Sequence, residues 1–138
     1  MKNSNHKLVY IVDDDPDDRQ IILDAFMQNK YQGDYEFIES GNQLLDKLET
    51  NATDYPSLIL LDLNMPGIKG LDALIEMRSK KQYRQIPVIV LTTSSLNSDR
   101  TSALAHGANC FIRKPDDFTE LVSLTDAILK LWLIDISQ

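Results

Sequence analysis

"KLVYIVDDDPDDRQ" (residues 7–20) contains the transition on which the fold depends. Residues 8–12 are a continuous apolar run of strand length, the pattern of a strand covered on both faces in a parallel sheet. Asp13, Asp14 and Asp15 end the run. Pro16 fits the first turn of a helix with Asp15 as its N-cap, and Ile21, Ile22, Ala25 and Phe26 follow at helical spacing. The acidic turn carries an electrostatic cost. Like charges about 4 Å apart repel by roughly 1 kcal/mol in water and by about 4 kcal/mol at the screening typical near a protein surface. A cation among these carboxylates would offset it.

The rest of the chain repeats the same unit. "YEFIE" (35–39), "LILLDL" (58–63), "PVIVLT" (87–92) and "CFIR" (110–113) are strand-length. Between and after them stand helical periods: Leu44, Leu45 and Leu48; Leu71, Leu74, Ile75 and Met77; Ala103 and Leu104, ending at Gly107; then Leu121, Leu124, Ile128, Leu129 and Trp132. Five strand–helix units in strict order predict an α/β fold, a doubly wound five-stranded parallel sheet with five helices on both faces. Ligands of such sheets bind outside the carboxyl ends of the strands. Asp13 and Asp14, Asp62, Thr92, Thr93, Lys114 and Pro115 all fall there. Three carboxylates, a hydroxyl and an ammonium in one place suit a hard divalent cation such as Mg²⁺, which takes a few carboxylate or carbonyl oxygens, water and a phosphate oxygen.

Composition narrows the function classes. The 138 residues fit one domain, 1–138 with a core of about 7–134, and the fifth helix leaves no room for an output domain. The one cysteine, Cys110, excludes an internal disulfide and a cysteine metal cage and suits a reducing compartment. No run approaches a membrane span, and the N-terminus lacks the apolar stretch of a signal peptide, so a cytoplasmic location is expected. A net charge of −7 opposes the clustered Lys and Arg that a nucleic-acid surface requires.

The set "VDDD", "LLDLNMPGIKG", "VLTTS" and "IRKP", in that order and at strand ends, closely resembles the receiver domains of two-component response regulators. The resemblance covers nearly the whole chain and implies the flavodoxin-like strand order 2-1-3-4-5. It makes Asp62 the phosphoacceptor, which attacks the phosphorus of a phosphohistidine on a sensor histidine kinase or histidine phosphotransfer protein. It makes Asp13, Asp14, Asp62 and the backbone carbonyl of Asn64 the Mg²⁺ ligands. Thr92 and Lys114 would contact phosphoryl oxygens, and Thr92 and Phe111 would form the switch. Such proteins are phosphoacceptors that assist their own phosphorylation and dephosphorylation rather than enzymes. The chain further resembles stand-alone receivers paired with phytochrome-type kinases. A homodimer through the face of the fourth helix, fifth strand and fifth helix is also implied, with Phe118, Leu129, Trp132 and Leu133 as its apolar candidates.

Two other function classes share parts of this pattern. A Mg²⁺-dependent aspartyl phosphatase typically needs a second acid two residues after the nucleophile, where this chain has Asn64. A receiver-like module that is never phosphorylated is opposed by the intact set Asp13, Asp14, Asp62, Thr92 and Lys114. Asp15, Asp17 and Asp18 read as first-turn acids that favour the helix dipole, and Thr93, Ser94 and Ser95 as turn and capping residues. His6 and His106 read as surface or packing residues, and Cys110 as a small buried hydrophobe. Three departures from the family pattern stand out: Asp116 and Asp117 intervene between "KP" and Phe118, Phe111 lacks the hydroxyl of a tyrosine, and Thr93 stands where a small residue such as Ala is frequent.

Overall fold

Side chains alternate across β1 (Leu8–Val12), and this alternation organises the architecture. In the computed structural model, which describes residues 7–51, 53–65 and 67–133, Leu8, Tyr10 and Val12 enter one core. Val9 and Ile11 enter a second core across the sheet, as the period of two requires. β1 is hydrogen-bonded on one side to β2 (Asp34–Ile38) and on the other to β3 (Leu58–Leu61). β4 (Val88–Thr92) and β5 (Cys110–Arg113) complete a parallel sheet of order β2-β1-β3-β4-β5. The first core lies under α2 (Gly41–Thr50), α3 (Gly70–Ser79) and α4 (Asn97–Ala105); the second lies under α1 (Pro16–Gln28) and α5 (Phe118–Ile128). Because the chain leaves β1 and β3 toward opposite faces, a crevice opens at their carboxyl ends.

The strand and helix limits follow local chemistry. β2 stops one residue short of Glu39 because the Glu39 N–H donates to the Gln43 side chain, while the Ser40 hydroxyl accepts from Gln43 N. Ser40 thus supplies the N-cap half of a capping box for α2, and Gln43 reaches back one residue beyond it. Pro87 has no N–H, and β4 begins after it. Asp15 caps α1, accepting from Asp17 N at 2.9 Å, with Pro16 in the first turn.

Helical faces depart from the simplest periodic reading. Ile21 is 45% exposed and Leu23 is buried in its place; Ile75 is 39% exposed, while Ala73, Leu74 and Met77 face inward. On α5 the deepest position is Thr125, fully buried. Its hydroxyl donates to the Val122 carbonyl at 3.0 Å and accepts from Asn29 Nδ2 at 2.9 Å. The same Asn29 amide also reaches the carbonyls of Ala25 and Val122, tying the end of α1 to α5. Residues Leu129–Leu133 continue as one wide helical turn. There the structure corrects the choice of apolar candidates for the docking face: Leu133 is buried in the second core and Leu129 and Trp132 pack against it, whereas Phe118 is 43% exposed. Cys110 is half-buried rather than buried. His106 is exposed, its Nδ1 2.7 Å from the Ser102 carbonyl; His6 and residue 134 lie outside the described residues. Among those described, no helix is long and apolar enough to cross a membrane.

Candidate functional site

The sheet ladder fixes each site residue before any side chain is considered. Past the strand ends, Asp13 N donates to the Ile38 carbonyl, Asp62 N to the Val12 carbonyl and Lys114 N to the Thr92 carbonyl, at 2.9, 2.9 and 2.7 Å. The turn residues after β1, β3 and β5 are therefore held in register with their neighbours. Behind Asp62 the backbone is packed as well. A Cβ on Gly70 would stand 2.2 Å from the Asp62 carbonyl oxygen and 2.8 Å from the Leu63 Cα, so only glycine lets α3 begin this close to the turn.

Asp13, Asp14 and Asp62 each offer a carboxylate oxygen, and the three oxygens lie within 4.8 Å of one another. Asp13 and Asp62 are buried and Asp14 is exposed. An all-oxygen set this compact, open on the Asp14 side, fits a hard divalent cation that keeps part of its water shell. Burial raises the Asp62 pKa and the Asp13 charge adds to it; the Lys114 charge and hydrogen bonds from the Asn64 N–H and Thr92 only partly oppose them. The site thus disfavours a second negative charge while no cation is present.

Lys114 lies among the acids. Its ammonium is 2.6 Å from Asp13 Oδ2, 3.1 Å from Asp18 Oδ2 and 3.8 Å from Asp62 Oδ2. Burial alone would lower its pKa, but the hydrogen bond to Asp13, the charges of Asp62 and Asp13 and the bond to Asp18 outweigh that, and the net shift is upward. Thr92, fully buried at the end of β4, lies across from Asn64, whose side-chain amide is 3.5 Å from its hydroxyl. Phe111 is half-buried against the first core, opposite Val90 in the ladder and on the same sheet face as Thr92.

All five sequence-selected side chains therefore converge, and Asn64 follows Asp62 with its N–H bonded back to Asp62 Oδ1 at 3.3 Å. Thr93 is exposed. Ser94 is a turn residue, donating to Asp99 and accepting from Leu96 N, while the N-cap position of α4 is Leu96, which has no side-chain cap. Of the two acids before Phe118, Asp117 has a local role: it caps α5 by accepting from Thr119 N at 2.7 Å. Three residues escaped the sequence reading. Asp18, read as a dipole-complementing acid, binds Lys114. Arg19 donates to the Asp13 carbonyl at 2.8 Å, with its guanidinium 5.5 Å from the centre of the Phe37 ring. Gly70 was visible only as a letter of "GIKG".

A family model described as the response regulator receiver domain matches residues 9–126. The probable methanogenesis regulatory protein FilR2 of Methanothrix harundinacea is 30% identical over 129 residues, covering 91% of this chain and 83% of its own. The structure of the phosphorylated cyanobacterial phytochrome response regulator RcpA superposes with a TM-score of 0.85 at 30% identity, over 93% of this chain and 94% of that one. The Mn²⁺-bound form of the response regulator Rcp1 gives 0.84 at 25% identity, over 94% and 96%; Rcp1 comes from Synechocystis.

Proposed function

The chain belongs to the response regulator receiver domain family, and from that premise we infer that Asp62 is the aspartate that accepts the phosphoryl group. The observation that carries this assignment is the convergence of Asp13, Asp14 and Lys114 on Asp62 at the carboxyl ends of β1, β3 and β5. The donor is a phosphohistidine on a sensor histidine kinase or phosphotransfer protein, and the likeness to RcpA supports a phytochrome-type kinase. An Asp62 carboxylate oxygen bonds to phosphorus as the bond to the histidine nitrogen breaks. In such transfers the protein contributes position and charge rather than covalent chemistry.

Each side chain has a role that follows from its place. Asp13, Asp14, Asp62 and the Asn64 carbonyl would hold Mg²⁺, which supplies positive charge to the phosphoryl oxygens. The Thr92 hydroxyl donates to one phosphoryl oxygen and the Lys114 ammonium pairs with another. The same groups stabilise the reverse attack of water, so the protein assists its own dephosphorylation. Output leaves through the face of α4, β5 and α5, to a partner or a second copy.

The test is incubation with Mg²⁺ and acetyl phosphate followed by intact mass. The protein should gain one phosphoryl group, and Asp62→Asn should gain none. Labelling of that variant at the unaltered protein's level would move the site elsewhere.

A further inference from the structure

Both oxygens of Asp13 already have donors. Oδ1 accepts from Asp15 N at 3.0 Å and Oδ2 accepts from the Lys114 ammonium at 2.6 Å, the shortest of that lysine's three carboxylate distances. A cation bound among Asp13, Asp14 and Asp62 would therefore meet an ammonium already leaning on one of its ligands. Two positive charges sharing one carboxylate oxygen repel, so Lys114 must loosen its hold on Asp13 when the metal enters. Lys114 is only 14% exposed in its side chain, and an ammonium released there needs another acceptor.

Asp18 meets that need. Its Oδ2 is 3.1 Å from the same ammonium, yet it is outside the group of carboxylates close enough to share an ion. It sits in the first turn of α1 with its side chain 40% exposed, and the cleft of about 390 Å³ that it lines with Lys114 and Phe118 gives the lysine room to swing. We propose that Asp18 is a positioning residue that takes over the Lys114 ammonium when a divalent cation occupies Asp13, keeping the lysine beside Asp62 for the incoming phosphoryl group. This rests on the metal and Lys114 roles assigned above.

Metal binding itself is the readout. Mg²⁺ affinity is measured by calorimetric titration for the intact protein, Asp18→Asn, Asp17→Asn, Lys114→Met and the double variant Asp18→Asn with Lys114→Met. Asp17 is the control, since it neighbours Asp18, is exposed and does not touch Lys114. Asp18→Asn should weaken Mg²⁺ binding about three- to tenfold, whereas Asp17→Asn should change it by less than about twofold. In the Lys114→Met background Asp18→Asn should have no further effect, because the ammonium it would receive is gone. Asp18→Glu should restore most of the affinity.

Equal loss from Asp17→Asn and Asp18→Asn, or the same Asp18→Asn effect with and without Lys114, would reduce Asp18 to a distant charge and overturn the proposal. Unchanged affinity in Asp18→Asn overturns it too. If Asp14→Ala binds Mg²⁺ as well as the intact protein, the metal-site reading fails first and this inference falls with it.

Discussion

Asp62 carries a charge that its surroundings resist, chiefly through burial and secondarily through Asp13. For a carboxyl whose folded pKa is raised, ionisation costs stability, and the sign of the pH effect follows. Below the ordinary carboxyl pKa of about 3.9 the group is protonated in both states and nothing is lost. As pH rises through the raised folded value, the penalty becomes complete. Asp62→Asn should therefore melt higher than the intact protein at pH 7 without metal, and the difference should shrink as pH falls toward 4. Thermal melts in a chelating buffer across that range check this; a lower melting temperature for the variant at pH 7 would contradict it. At this scale the sequence was informative where residue type and strand end coincide, as at Asp13, Asp62, Thr92 and Lys114. It was silent where one side chain has two meanings. Asp18 satisfies the rule for acids in a first helical turn, and nothing in its spacing reveals an ammonium brought from residue 114 by the fold.

The elements were legible by number, type and order, because near-continuous apolar runs and helical periods differ in kind. Their inward faces were less so. Ile21 and Ile22 have the same hydrophobicity but lie about 100° apart around a helix, and only packing against α5 decides which is buried. The Asn29 bridge between α1 and α5 has no periodic signature at all. Asn29→Ala removes both side-chain bonds from α1 to α5, including the donor to the buried Thr125 hydroxyl, and should cost about 1–3 kcal/mol. Urea unfolding should read this as a lower midpoint at unchanged slope, with phosphorylation retained; an unchanged midpoint would deny the bridge its role. The start of α3 gives the converse case. Gly70→Ala must displace the Asp62 backbone, because the added methyl meets backbone atoms that cannot rotate away. Labelling by acetyl phosphate should slow about 10- to 100-fold, the scale of a misplacement near 1 Å. An unaltered rate would mean that the turn gives way harmlessly.

For the molecule as a whole, the strand order and the two cores determine which parts can respond together. Thr92 and Phe111 share the sheet face covered by α2, α3 and α4. Drawing the Thr92 hydroxyl toward a phosphoryl oxygen leaves space behind it, and Phe111 is the adjacent aromatic that can rotate into that space. A coupling of about 1–3 kcal/mol would change self-association or partner affinity by roughly 5- to 150-fold. Phosphorylation should thus lower amide protection in α4 and β5, and Phe111→Ala should reduce that response without blocking labelling. Amide exchange and sedimentation velocity, with and without phosphodonor, test this; fixed protection and fixed mass would exclude the switch. The alternation along each strand adds a constraint on what the rest of the domain can sense. The opposite face, with α1 and α5 joined through Asn29, has neither Thr92 nor Phe111 among its side chains. The sheet thus works as a partition. The seam of α1 with α5 lies across it from the switch pair, so a partner docked on that seam would meet a fixed frame, while the event is read along the face of α4, β5 and α5.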